Sequence, residues 1–291
     1  MLNFLKMKVL TTVKALQHQL KQPDKSPVGL VPTMGALHEG HLSLMKNAAA
    51  DCPVIVVSIY VNPTQFNDKD DLRNYPRNLE KDLGMLATVL REDDIVFTPD
   101  DKEIYPQKDT RVFDFGNLDK VMEALHRPGH FNGVAQVVSR LFEIVKPDMA
   151  YFGIKDFQQV AVVRELVRQS GSGIRIVPNP IVREADGLAM SSRNQLLDPA
   201  RRKEAPVIYR TISAASRMLR KNDIPEIKDF VKKEIERSGN FVLEYFEIVD
   251  DIELIPLKRK TEMKDSSKYY GCIAVRAGRI RLIDNIRILL V

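Results

Sequence analysis

Val28-Gly29-Leu30-Val31-Pro32-Thr33-Met34-Gly35-Ala36-Leu37-His38-Glu39-Gly40-His41 is the stretch that decides the architecture. Its apolar, β-branched start, Val28 to Val31, predicts a buried strand. A turn follows directly, and a helix opens at about Gly40 and continues through Leu42, Leu44 and Met45 with helical spacing. A strand that turns into a helix is where an α/β sheet binds phosphates. Gly35 and Gly40 let backbone N–H groups approach a triphosphate. His38 and His41, three apart, bring two imidazoles to one side of the helix N-terminus, where both can hydrogen-bond phosphate oxygens as charge builds at the α-phosphorus. Two other roles stay open from these residues alone. His38 could cap the turn while His41 packs on the sheet, or His38, Glu39 and His41 could be metal ligands. The i, i+3 spacing without a third His or Cys nearby argues against the metal.

Outward from this stretch, further β-branched runs at Val54 to Val61, Ile95 to Thr98, Met149 to Phe152 and Ile174 to Val177 predict parallel strands. Helical spacing appears at Leu79 to Leu90 and at Val134 to Val145. Alternating β and α elements predict an α/β fold, a Rossmann-like doubly wound parallel sheet. Past about Asn179 the pattern changes: Pro199 to Leu219 and Pro225 to Ser238 read as two helices, followed by strand-like runs near Val242, Tyr270 and Ile280. The last two flank Ala277-Gly278 as a hairpin. A second, smaller α+β domain is therefore expected, with the first domain at 1–183 and the second at 184–291.

Composition sets bounds on partners and compartment. The 291 residues are 44% hydrophobic, enough for a full core, and the net charge of +5 is spread along the chain without a basic block. That excludes a nucleic-acid tail but suits anionic substrates. Cys52 and Cys272 lie far apart with no C-x-x-C pattern, which predicts reduced packing residues. Neither an export signal at Met1 to Lys8 nor an apolar run of about 18 residues is present. The expectation is a cytoplasmic protein with no membrane and no nucleic-acid partner.

A second segment strengthens the phosphate reading. Arg183-Glu184-Ala185-Asp186-Gly187-Leu188-Ala189-Met190-Ser191-Ser192-Arg193-Asn194 ends in two hydroxyls and a guanidinium, a plausible phosphate clamp. It also reads as a polar turn before a helix capped by Asp198 with Pro199 at the first helical position, and both can hold together. Three more segments are informative: Val61-Asn62-Pro63-Thr64-Gln65-Phe66, Arg127-Pro128-Gly129-His130-Phe131-Asn132-Gly133-Val134, and Phe152-Gly153-Ile154-Lys155-Asp156-Phe157-Gln158-Gln159.

His38-Glu39-Gly40-His41 after a strand resembles the signature of the nucleotidyltransferase superfamily, and Met190 to Arg193 stands where that superfamily carries its K-M-S-K-S loop. All five segments, in order from about Val28 to Pro199, resemble the pantothenate synthetase family. The resemblance implies condensation of pantoate with β-alanine, driven by ATP, through an enzyme-bound pantoyl-adenylate, with pyrophosphate and AMP released. It implies that Met34, Gly35, Ala36, Leu37, His38, Glu39, Gly40 and His41 cradle ATP. Gly153, Ile154, Lys155, Asp156, Val182, Met190, Ser191, Ser192 and Arg193 would complete the nucleotide site. His41, His38, Lys155, Ser191, Ser192 and Arg193 would be catalytic, Gln65 and Gln159 would hold pantoate, and Arg127 and His130 would close the substrate site. Asp82 matches a family position near the triphosphate and is the candidate contact for Mg²⁺, through water. A homodimer through the larger domain and a lid made by the smaller one are implied too.

The residues agree with these roles. Lys155 can neutralise phosphate charge, and glutamine amides can donate to a carboxylate and accept from hydroxyls without a competing charge. Lys155 and Asp156 also read as a surface ion pair, and Arg127-Pro128-Gly129 as a turn. Ile154 departs from the glutamate of many relatives. The competing activities are a different nucleotidyltransferase that stops at a nucleotidylated product and a nucleotide-binding module without catalysis.

Overall fold

The computed structural model describes residues 7–21 and 26–289. Most of the N-terminal residues that bear on an export signal lie outside this range. The first half of the chain runs β1 (Lys8–Leu10), α1 (Val13–Leu20), β2 (Val28–Thr33), α2 (Glu39–Asp51), β3 (Val54–Ile59), α3 (Lys69–Asn74), α4 (Leu79–Leu86), β4 (Ile95–Phe97) and α5 (Asp101–Ile104). It continues through α6 (Glu123–His126), α7 (His130–Val145), β5 (Met149–Gly153), α8 (Phe157–Ser170) and β6 (Arg175–Asn179). Then follow α9 (Pro199–Glu204), α10 (Val207–Met218), α11 (Ile224–Glu236), β7 (Val242–Asp250), β8 (Tyr269–Ala277) and β9 (Ile280–Ile288).

The chain divides into two compact units. Unit 1 comprises residues 1–115, 127–154 and 162–180, and unit 2 comprises 116–126, 155–161 and 181–291. A single cut at 183/184 therefore does not separate them, because two short earlier pieces pack with the C-terminal residues.

Unit 1 is built on a parallel sheet of six strands in the order β1-β4-β3-β2-β5-β6. Strands β3 and β4 are buried throughout except Ile59, which explains why they read as continuous apolar runs. Between β2 and β5 the strand order reverses, and at such a point the C-terminal strand ends open a crevice. Val31, Leu37, Met45, Ile55, Val57 and Tyr151 are part of the core around α2.

Unit 2 carries an antiparallel sheet, β7-β8-β9, packed on α10 and α11. Gly278, at φ +62, makes the tight β8–β9 turn. The predicted helix from Pro199 to Leu219 is two helices, broken at Ala205-Pro206. A proline there cannot supply the N–H an unbroken helix needs. Both cysteines are buried and unpaired by disulfide, and among the described residues no helix is long and apolar enough to cross a membrane.

Candidate active site

In unit 1 the loop after β2 is held from three sides. Thr33 donates its hydroxyl to the Ser58 carbonyl at 2.7 Å and accepts the Gly35 N–H at 3.2 Å. Gly35 (φ +75) and Ala36 (φ 50) are both left-handed, a conformation that costs a side-chain-bearing residue about 1 kcal/mol or more. Asp82, buried on α4, offsets this by accepting the N–H of Ala36 at 3.0 Å and of Leu37 at 2.8 Å. A Cβ on Gly35 would sit 2.8 Å from that carboxylate, so glycine is required on two counts.

The two histidines open α2 as a reciprocal cap. His38 Nδ1 accepts the Gly40 N–H at 3.1 Å and His41 Nδ1 accepts the His38 N–H at 3.3 Å. Their rings lie 4.1 Å apart between centroids. With Nδ1 accepting, a neutral imidazole carries its proton on Nε2, so both rings are set as donors. Capping is compatible with the phosphate role expected from the sequence, since the cap uses one nitrogen of each ring and sets the ring's tautomer.

Gln65 and His130 are brought beside this loop. Gln65, buried on the short 3-10 turn Pro63–Gln65, donates its amide to the Met34 sulfur at 2.9 Å. The His130 Nδ1 lies 2.8 Å from the Gln65 carbonyl, at the first turn of α7. Asn62, to which the sequence gives no role, organises the group: its amide donates to Gln65 Oε1 at 3.3 Å and to the Gly133 carbonyl at 3.0 Å. Arg127 begins the turn into α7, with the His130 N–H donated to its carbonyl at 3.0 Å. A cleft of about 550 Å³ opens nearby, bounded by Met34, Gly35, Tyr60, Arg77, Asp82 and Lys102 among others.

The sequence expectation sets Asp82 facing Mg²⁺ through water. In the structure each of its oxygens holds a backbone N–H of the loop, and its first task is that anchorage. Each oxygen keeps one acceptor site, so a water-mediated contact to a cation carried by a triphosphate still fits, whereas direct ligation competes with the loop. Among the described residues no group of three or more His, Cys, Asp or Glu is arranged to hold a metal, so His38, Glu39 and His41 do not form one.

Gly153 ends β5, and the Ile154 N–H is donated to the Asn179 carbonyl at 2.9 Å, so the Ile154 position contributes backbone geometry. In unit 2, Lys155 Nζ lies 3.7 Å from half-exposed Asp156, a pair worth little. Gln159 is partly exposed, while its neighbour Gln158 is buried and structural. Gln158 accepts the Glu123 N–H at 2.9 Å and donates to the carbonyls of Leu118 and Val121.

The other predicted clamp also lies in unit 2. Val182 and Met190 close a small hairpin, Met190 N–H to Val182 carbonyl at 3.0 Å, with an antiparallel bridge between Arg183 and Ala189. The hairpin delivers Ser191, which caps the 3-10 turn Ser192–Leu196 by accepting the Arg193 N–H at 3.3 Å. Glu184 and Asp186 are paired with Arg202 on α9, and Asp198 caps that helix with Pro199 at its first position.

Three comparisons bear on this arrangement. Residues 8–287 match the family model described as pantoate-beta-alanine ligase. A pantothenate synthetase from Phocaeicola vulgatus is 49% identical over 284 residues, covering 97% of this chain and 99% of the relative. One from Porphyromonas gingivalis is likewise 49% identical over 97% of the chain and 99% of the relative. The crystal structure of pantothenate synthetase from Thermus thermophilus superposes with a TM-score of 0.88 at 40% identity, covering 97% of this chain and 99% of that one. That of pantoate-beta-alanine ligase from Francisella tularensis, complexed with beta-gamma ATP and beta-alanine, gives a TM-score of 0.77 at 32% identity, covering 97% of each chain.

Proposed function

The chain belongs to the pantoate-beta-alanine ligase family, and from that premise we propose how its residues divide the reaction. It is a ligase that condenses pantoate with β-alanine to pantothenate at the expense of ATP. The observation that carries the division is topological. The segment Met34–His41 leaves the C-terminal end of β2, and Gly153–Ile154 leaves that of β5, the adjacent parallel strands where the sheet order reverses.

In the first step the pantoate carboxylate attacks the α-phosphorus in line. A P–O bond forms to the acid, the bond to the β-phosphate bridge breaks, and pyrophosphate leaves. The Nε2–H groups of His38 and His41, at the positive end of the α2 dipole, face the growing charge. Lys155, Ser191, Ser192 and Arg193 take the β- and γ-phosphates. Mg²⁺ neutralises phosphate charge when bound, with Asp82 able to reach it through water. Positioning and preorganised donors supply the acceleration, each charged donor on the order of 3 kcal/mol. Gln65 and Gln159 orient pantoate through carboxylate and hydroxyl, with Arg127 and His130 beside them. In the second step the β-alanine amine attacks the acyl carbon, the acyl–phosphate bond breaks, and AMP leaves as the amine loses its proton.

ATP–pyrophosphate isotope exchange with pantoate, first without and then with β-alanine, tests the adenylate. Exchange without amine, then AMP and pantothenate on its addition, supports it; exchange that needs β-alanine removes the separate first step. His41→Ala should reduce that exchange at least a hundredfold, and near-normal exchange would remove His41 from the chemistry. A homodimer in the cytoplasm completes the proposal, and sedimentation at twice the 33.1 kDa chain mass would support the dimer.

A further inference from the structure

Two buried polar residues near the end of the chain tie together the two segments of unit 2 assigned to the triphosphate. Asp284 and Asn285 are consecutive on β9 and each is 3% exposed. Successive side chains of a strand point to opposite faces, so such a pair needs polar partners on both. Asp284 takes Arg183 in a two-pronged ion pair, at 2.6 and 2.9 Å. The same guanidinium reaches the carbonyls of Asn285 at 3.3 Å and Gly187 at 3.1 Å, and lies 3.7 Å over the Tyr209 ring. Arg183, on the first arm of the hairpin that delivers Ser191, Ser192 and Arg193, thereby ties the turn of that hairpin to β9. Asn285, for its part, donates its amide to the main-chain carbonyl of Lys155 at 3.2 Å. Lys155 and the Ser191–Arg193 loop, which have no helix or strand in common, are thus both fastened to one dipeptide of β9.

We propose that Asp284 and Asn285 are positioning residues for the first half-reaction: they set Lys155 and the Ser191–Arg193 loop at a fixed mutual spacing that matches a triphosphate. The inference rests on the assignment of those two segments to the phosphates. A carboxylate that grips a guanidinium with both oxygens fixes angle as well as distance, which a single contact does not. An amide donor on the carbonyl of Lys155 fixes the main chain from which the ammonium extends while leaving the side chain to its ligand. Since misplacement by about 1 Å costs about a hundredfold in rate, the effect should appear in catalysis before it appears in folding.

The two half-reactions separate a positioning role from a general structural one, because pyrophosphate is present only in the first. Asn285→Ala keeps the Arg183–Asp284 pair, and Asp284→Asn keeps the shape of the carboxylate. For each variant, ATP–pyrophosphate exchange with pantoate is compared with the attack of β-alanine on pantoyl-adenylate supplied ready-made, alongside a thermal melt. The expected result for Asn285→Ala is exchange slowed at least tenfold, with the second half-reaction within about twofold and the melting temperature within a few degrees of the parent. Asp284→Asn should show the same split with a larger fall in melting temperature, because it takes from the partly buried Arg183 guanidinium the counter-ion that grips it at two points. Unchanged exchange, or equal loss in both halves, overturns the proposal. Lys155→Met is the reference: if it too leaves exchange intact, the triphosphate assignment falls first, whereas its loss of exchange beside an unaffected Asn285→Ala removes only the positioning role.

Discussion

The carboxylate of Asp82 accepts the backbone N–H of Leu37 at 2.8 Å, and its other oxygen takes that of Ala36 at 3.0 Å. Two consecutive donors of the turn proposed to cradle ATP are therefore already engaged by an anion belonging to the protein. On that proposal, what is left for ATP is the histidine pair at the helix start beyond. Asp82→Asn presents one acceptor and one N–H₂ to these donors, so one of them loses its partner at a cost of about 1–3 kcal/mol. The expected outcome is a lower melting temperature and a KM for ATP raised about tenfold, equivalent to about 1.4 kcal/mol of lost preorganisation. The Mg²⁺ concentration for half-activation should rise much less than KM for ATP, since any contact of Asp82 with the cation runs through water. A large shift there at unchanged stability would make the metal, and not the loop, the main task of Asp82.

Gly133 tests the substrate side of the same unit. A Cβ at this position of α7 would collide with the Thr64 carbonyl oxygen and lie 2.7 Å from the Gln65 Cα, both main-chain atoms. Gly133→Ala must therefore push the Pro63–Gln65 turn away, with overpacking costs of about 1–3 kcal/mol. Because that turn carries Gln65, KM for pantoate should rise several-fold while KM for ATP changes little. Steady-state kinetics with each substrate varied checks this. Equal changes in both constants would disconnect Gln65 from pantoate.

These relationships also show where sequence reasoning succeeds and stops. Strands β2 to β5 are legible within one or two residues because each is mostly a run of buried apolar residues, and β6, which is largely exposed or half-buried, is marked instead by the β-branched pair Ile176-Val177. Lys8–Leu10 escapes because three residues at a sheet edge carry no period. Phe157–Ser170 escapes as well, since Val160 to Val163 form an unbroken apolar run that fits strand or helix equally. In the proposed site, the contiguous motifs are the ones a sequence offers: His38 to His41, Pro63 to Gln65 and Met190 to Arg193 each fall within a single turn or helix start. The residues that hold those segments in place do not. Asp82 lies 45 residues from Leu37, Asn285 lies 130 from Lys155 and Arg281 lies 158 from Glu123, and nothing local marks an ordinary acid, amide or arginine as the partner of a distant loop.

Alkaline titration offers a check on the cores. Burial raises the phenols of Tyr60, Tyr151 and Tyr245 well above their ordinary range, reinforced by Asp101 for Tyr60, by Cys52 and Asp51 for Tyr151, and by Glu123 for Tyr245. Burial pushes Tyr105 up to about 12. A phenol whose folded value exceeds its unfolded value contributes stability that is complete below about pH 10 and is lost as the pH rises. At pH 11 the phenolate absorbance of the folded protein should fall short of that for all eight tyrosines by at least these four, and denaturant should release the remainder. Full ionisation in the folded state would contradict the packing around them.

The ion cluster of unit 2 separates buried from exposed charge. Arg281 donates to Glu123 at 2.6 and 2.8 Å and to Glu244 at 2.6 Å, and Tyr245 adds its hydroxyl to Glu123 at 2.6 Å. Burial works against the charge of Arg281, yet the two carboxylates raise its pKa above the ordinary arginine value. Removing the guanidinium by Arg281→Met takes from Glu123 the cation that grips both its oxygens and leaves Glu244 with Arg276, a loss of about 3–5 kcal/mol for so buried a cluster. Arg276, half-exposed and bound to Glu244 alone, should cost less than about 1 kcal/mol on removal. Urea melts at pH 7 should therefore place Arg281→Met several kcal/mol below the parent and Arg276→Ala close to it. Equal losses in the two variants would mean that the buried grip on Glu123 contributes no more than the exposed contact to Glu244.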